Sequence, residues 1–186
     1  MMFERAYVER AYGGPRVSGK ALGPIAEQGA VEAWLARAKA FINSTDAPIV
    51  MTDAADGTIV HCNAPWVAMC GYARDEAVGR TNAELLQGPE TDRGAARSMV
   101  RELRLGHAKA RAVLRNYKKD GAPFWNDLLV AHVTGADDGA GFDVAILREA
   151  DHEADVDAGS ASLWFAMKRR LAPFTGEMCE GGLVGW

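Results

Sequence analysis

Two turn signals set the frame into which this 186-residue chain must fold. Asp56-Gly57 separates Ile49-Val50-Met51-Thr52-Asp53 from Thr58-Ile59-Val60-His61-Cys62, and Lys119-Asp120-Gly121 separates strand-like stretches at residues 112–117 and 124–133. A glycine-containing turn between two apolar, β-branched runs closes a hairpin, because glycine takes the backbone angles that a tight reversal needs. A further strand is predicted over residues 142–147, after the loop at 135–141. Between the hairpins the pattern turns helical, with short segments at 65–69 and 74–78 and a longer one across 91–105. Asp92 stands near the start of that longer helix and Gly106 at its end. Two strands, a helical middle and three strands make an α+β domain.

The flanks read differently. Gly13-Gly14-Pro15 and Gly23-Pro24 punctuate an N-terminal arm over residues 1–24. Val31, Trp34, Leu35, Ala38, Phe41 and Ile42 then recur at helical spacing, and Asn43-Ser44-Thr45-Asp46 ends an amphipathic helix assigned to residues 25–45. The main domain occupies 46–149, and 150–186 form an acidic linker with a C-terminal helical extension. In that extension Asp151, Glu153, Asp155 and Asp157 precede Ser160, which caps a helix through Leu163, Trp164, Met167 and Leu171. It is either an output element or a packing helix with a solvated Lys168-Arg169-Arg170 face.

Composition excludes several classes of function. The net charge of −4 comes without a basic stripe, so nucleic acid is not an expected partner. Cys62, Cys70 and Cys179 lack paired metal-ligand spacing, which suggests neither a disulfide framework nor a zinc site; small buried thiols are expected. No apolar run reaches a membrane-spanning length, and a cytoplasmic protein that does not enter the membrane is expected. No catalytic triad, paired-carboxylate or phosphate-loop arrangement stands out, so an enzyme is not expected.

The second hairpin carries the candidate site. Pairing centred on Gly121 sets Asn116 opposite Asn126, on the same face as Leu114 and Leu128. An apolar floor bearing two amides suits a planar heterocycle, since each amide offers a carbonyl acceptor and an NH₂ donor. The alternative is two partly exposed strand residues with local hydrogen bonds.

Gly79-Arg80-Thr81-Asn82-Ala83-Glu84-Leu85-Leu86-Gln87-Gly88-Pro89-Glu90-Thr91-Asp92 and Asn116-Tyr117-Lys118-Lys119-Asp120-Gly121-Ala122-Pro123-Phe124-Trp125-Asn126 together resemble the LOV-type PAS domains, flavin-binding blue-light sensors. The resemblance covers roughly residues 46–149. It implies a five-stranded antiparallel sheet with helices on one face, plus flanking helices. It also implies flavin contacts, to FMN or riboflavin, for Asn82, Gln87, Asn116 and Asn126, with Leu86, Met99, Leu103, Leu128 and Val130 as apolar lining. Ala83 falls where the family has its adduct-forming cysteine, Glu84 where it has a phosphate-binding arginine, and Val100 where it has a second. Ile146 aligns with the family's signalling glutamine, and the loop holds one residue more than the family's Gly-Arg-Asn-Cys spacing. Arg80, Arg93, Arg97 and Arg101 are candidates to replace the missing cations, and Trp66, Tyr117 and Trp125 are candidate electron donors or plain packing residues.

Two functions follow as expectations. One is a signal-sensing module that binds flavin without cysteinyl-adduct photochemistry. The other is a ligand-free interaction module whose pocket is closed by Ile146 and its aliphatic neighbours. Val113, Tyr117, Trp125 and Leu129 point to the opposite sheet face, where the amphipathic helix of the same chain or of a second protomer covers them. Either function implies a homodimer and an unidentified protein partner contacted through the flanking helices.

Overall fold

The structure, a computed structural model, describes residues 25–107, 109–134 and 141–150. The N-terminal arm, the acidic linker, the C-terminal helix and Cys179 lie outside the described residues. A first helix, α1 (Ile25–Asn43), leads into a hairpin of β1 (Ile49–Asp53) and β2 (Ile59–Cys62). Four helices follow: α2 (Ala64–Cys70), α3 (Arg74–Ala77), α4 (Asn82–Leu86) and α5 (Arg93–Arg104). Three strands complete the domain, β3 (Lys109–Tyr117), β4 (Pro123–Thr134) and β5 (Gly141–Ala150). The strands form one antiparallel sheet in the order β2-β1-β5-β4-β3.

Both faces of the sheet are buried, which separates the core in two. On one face Val50, Leu114, Leu128, Val130, Ala145 and Leu147 pack with Trp66, Cys70, Leu86, Ala96 and Leu103 from the helical middle. On the other, Ile49, Met51, Ala131, Val133, Phe142, Val144 and Ile146 pack beneath Trp34, Leu35, Ala38 and Ile42 of α1. The helices therefore occupy both faces: α1 takes the face that the middle helices leave open. The Trp34 ring stacks on Phe142 at 5.2 Å between centroids. A helix of this length is marginal alone in water, so this apolar stripe is what holds α1 in place.

That cover is partial. Leu129 packs against the α1 cluster, whereas Trp125 lies under the Arg115 guanidinium, 5.3 Å from the ring centroid. The hairpin register also differs from a Gly121-centred pairing: Asn116 pairs with Phe124 and Leu114 with Asn126. The turn forms around Asp120, whose Oδ1 accepts from Ala122 N while Gly121 N donates to Lys118 O, with Gly121 at φ 87°. A shift of two residues preserves side-chain parity, so both asparagines keep the same face.

One polar residue joins the layers. Asn63 is fully buried between β2 and α2. Its Oδ1 accepts from Ile49 N at 2.9 Å and from Trp66 N at 3.1 Å. Its Nδ2 donates into a cluster formed by Ile42 O, Thr45 Oγ1 and Ala47 O at 3.1, 3.2 and 2.8 Å. A single amide thus caps α2, starts β1 and ties down the last turn of α1. Asn63→Ala should lower the unfolding free energy by about 2–4 kcal/mol, the scale for breaking a buried hydrogen-bond network. Urea unfolding checks this, and a loss below about 0.5 kcal/mol, the range of neutral surface changes, would refute the joining role.

Candidate functional site

A cavity of about 480 Å³ lies between the sheet and the helical middle, within the size range of small-molecule sites. Its floor is the inner sheet face, with Val50, Leu114, Leu128, Val130, Ala145 and Leu147. Ala96, Met99 and Leu103 of α5 form one wall, and Asn82, Ala83, Leu86 and Gln87 form another. Charged residues sit on the lining as well: Arg93, Arg97 and Arg104 from α5, with Asp56 and Asp143 from the sheet side.

The walls are held by local chemistry. Residues 82–86, read above only as part of a loop, are helical, because Thr81 and Glu84 form a reciprocal cap. Thr81 N donates to Glu84 Oε2 at 2.8 Å and Glu84 N donates to Thr81 Oγ1 at 3.2 Å. Thr81, within the lengthened loop, is the cap of this helix. Hydrogen bonds from the Thr81 backbone and then from its side chain hold the Glu84 carboxyl below its usual range. That contribution is present above the ordinary glutamate pKa and fades as pH falls through the lowered one. On α5, Asp92 Oδ1 accepts from Gly94 N and Ala95 N at 2.8 and 3.0 Å, which sets the helix so that Ala96 and Leu103 turn inward.

The two hairpin asparagines are buried, at 3% exposure for Asn116 and 2% for Asn126, which removes the exposed-strand alternative. Asn126 Nδ2 donates to Asn116 Oδ1 at 2.8 Å, and Asn116 Nδ2 donates to Arg115 O at 3.3 Å. This chain of bonds fixes the orientation of both amides. Asn126 Oδ1 is left buried with no partner, as is Asn82 Oδ1 on the facing wall. An unpaired buried acceptor costs about 1–3 kcal/mol, and two of them on one cavity point to an occupant that brings N–H or O–H donors.

Of the residues singled out in the sequence, Asn82, Ala83, Leu86, Gln87, Met99, Leu103, Asn116, Asn126, Leu128 and Val130 line the cavity. Ile146 does not. It packs beneath α1 on the opposite sheet face, together with Phe142 and Val144. The β5 residues that face the cavity are Asp143, Ala145 and Leu147, so Ile146 cannot close the pocket. Arg93 and Arg97 reach the lining, whereas Arg80, Arg101 and Glu84 do not, and neither do Trp66, Tyr117 or Trp125. Arg104, Asp143 and Leu147 were missed by the sequence reading. Among the described residues no group of His, Cys, Asp and Glu is placed to hold a metal ion, and no helix is long and apolar enough to cross a membrane.

Residues 36–144 match the family model described as the PAS fold. The chain belongs to the PAS family. Over 85 residues it is 44% identical to blue-light-activated histidine kinase 1 of Erythrobacter litoralis, a match covering 44% of this chain and 22% of that protein. The chain spans only a minor part of the length of the first curated relatives it matches. Its backbone resembles the Rhodobacter sphaeroides LOV protein, with a TM-score of 0.65, 24% identity, and 76% of this chain and 81% of that one covered. It is also 29% identical to a light-oxygen-voltage domain studied with a flavin analogue, with a TM-score of 0.52 and 66% and 88% of the two chains covered. The PAS domain is therefore of the LOV type.

In this PAS domain no described thiol reaches the cavity. Cys62 and Cys70 are buried in the neighbouring core. Burial pushes the Cys62 thiol up and, with the nearby Cys62 adding to it, pushes Cys70 up to about 12. Neither is a ready nucleophile at neutral pH. In the native protein both should resist iodoacetamide until denaturant is added; rapid native alkylation, mapped by mass spectrometry, would contradict their placement.

The segment after α4 is strapped to β3. Gln87 bridges to Asn116, Thr91 Oγ1 donates to Arg115 O, and Tyr117 Oη accepts from Glu90 N at 3.2 Å. Tyr117 lies so close over Gly88 that a β-carbon there would come within 2.3 Å of its ring. Gly88→Ala should cost about 1–3 kcal/mol, as overpacking does, and most of that cost should vanish in a Tyr117→Ala background. Additive losses in the double variant would show that the contact is not what restricts residue 88.

Proposed function

We propose that this LOV-type PAS domain is a flavin-binding sensory module that works without a cysteinyl adduct, its ligand being FMN or riboflavin. The observation that carries the reading is the pair of buried, unpartnered acceptors, Asn82 Oδ1 and Asn126 Oδ1, on an otherwise largely apolar cavity. The pyrimidine edge of a flavin presents a carbonyl, an N–H and a second carbonyl. Asn126 Oδ1 would accept from the ring N–H, while Asn116 Nδ2 and the Gln87 amide would supply donors to the carbonyls. Leu114, Leu128, Val130 and Leu147 provide aliphatic surface for the ring faces. The group fits the residues present. A bound flavin supplies visible-light absorption and one-electron chemistry.

Ala83 stands on the cavity wall where the resemblance seeks a cysteine, and a methyl group forms no thioether. Ala145 and Leu147, the apolar residues that β5 turns to the cavity, offer no amide that could exchange hydrogen bonds with the ring. A signal from this site would therefore arise from the charge or redox state of the ligand. It would act through the packing of the sheet on α1, with homodimer contacts and a protein partner as the readout. The module would change contacts rather than turn over a substrate.

Asn116→Leu with Asn126→Leu removes both amides at nearly constant volume. The double variant should keep its far-ultraviolet circular dichroism and lose retention of FMN and riboflavin after desalting. A folded double variant that retains flavin as well as the parent would refute the site.

A further inference from the structure

We infer that a second copy of this chain docks on α5, its acidic segment 151–157 lying against a stripe of arginines. The inference names a surface for the homodimer contacts proposed above, and it does not depend on what fills the cavity.

The stripe follows from helical spacing. Arg97, Val100, Arg101, Arg104 and Leu105 stand at i, i+3, i+4, i+7 and i+8, so α5 and its C-cap present them on one side. All five are exposed. Val100 at 44% and Leu105 at 67% are the large hydrophobic residues exposed among the described ones, and both stand within this row of cations. α5 holds four arginines against one acid, Glu102, in a chain whose net charge is −4. Like charges four residues apart on a helix repel. Among the described residues Arg97, Arg101 and Arg104 make no ion pair, whereas Arg111, Arg115 and Arg148 on the sheet do.

The chain carries the complement. Asp151, Glu153, Asp155 and Asp157 stand at every second position, with no lysine or arginine from 149 to 157. On an extended segment such acids recur about every 6.6 Å, close to the separation of about 6 Å between Arg97 and Arg101 along the helix axis. One chain cannot lay that row along its own stripe. Ala150 pairs with Trp125 and Trp125 with Arg115, and the Arg115 carbonyl accepts from Thr91, just ahead of α5. α5 then leads back to the start of β3, which carries Arg101 about 15 Å away from Thr91. Two strand spacings, about 10 Å, and that length of helix separate Ala150 from Arg101. Asp151 and Glu153, one and three residues past Ala150, reach no more than about 10 Å. They meet the stripe only on another molecule, and a twofold dimer makes the contact twice.

Water and salt screen exposed charges, so the association should be weak and salt-sensitive. Size-exclusion chromatography with light scattering on the full chain reads it. The parent should be a dimer at low salt and shift to monomer as salt rises. R97E/R101E/R104E should weaken the dimer by at least about tenfold, since like charges would then face each other. D151K/E153K/D155K should do the same while leaving every residue of the cavity in place. Far-ultraviolet circular dichroism checks that both variants are folded. Mixed in equal amounts they should form a heterodimer, because each supplies the charge that the other now needs. A parent that is monomeric at low salt, a dimer that survives either reversal, or a mixture that stays monomeric would overturn the inference. Retention of FMN by the parent is read separately: its absence would sink the flavin reading and leave this one standing.

Discussion

Burial on both faces of β5 is the constraint on which the rest of this molecule depends. From Phe142 to Leu147 only Asp143 escapes full burial, because β5 is the central strand and helices press on it from both sides. Each residue there is committed to one of two compartments, Phe142, Val144 and Ile146 to α1 and Ala145 and Leu147 to the cavity. A slip of one residue would exchange the two sets. Such a slip would drive Phe142 into the cavity and remove the partner on which Trp34 stacks. The stacking of Trp34 and Phe142 and the pairing of Ile49 with Ile146 fix the parity.

The same constraint explains what the sequence disclosed and what it concealed. The hairpins, the strand order in the chain and the α1 stripe were legible because turn residues and helical periodicity are local signals. The asparagine pair was legible too, since an error of two residues in register leaves a face unchanged. Ile146 was misplaced because β5 is buried on both sides. Its near-continuous apolar run carries no alternation, so period-two reasoning has nothing to grip. The short helix α4 escaped notice because its signal is a Thr81/Glu84 cap over a single turn, too brief for periodicity to register. Arg104 and Asp143 were beyond reach for another reason: α5 packs on β3, and these two residues share a cavity only through that tertiary arrangement.

A single sheet separates the cavity from α1. Val130 and Ala145 on the floor alternate along their strands with Ala131 and Val144 beneath the helix. On the proposed reading, a change in ligand charge alters the floor and is felt at α1 through shared backbone. Asn63 binds the end of α1 to the start of β1 and to α2, so the two compartments are joined at that end as well. Contact with a partner through the flanking helices would require no further machinery.

The central claim is that the unpartnered amides on the cavity wall are a flavin site. Its most direct measurement is the visible absorption spectrum of the protein after incubation with FMN and removal of free ligand, recorded before and during blue illumination. The account requires a retained flavin band with resolved vibronic structure, which bleaches in the light with an electron donor present and yields no thioether adduct band. A colourless protein after the same treatment would contradict it.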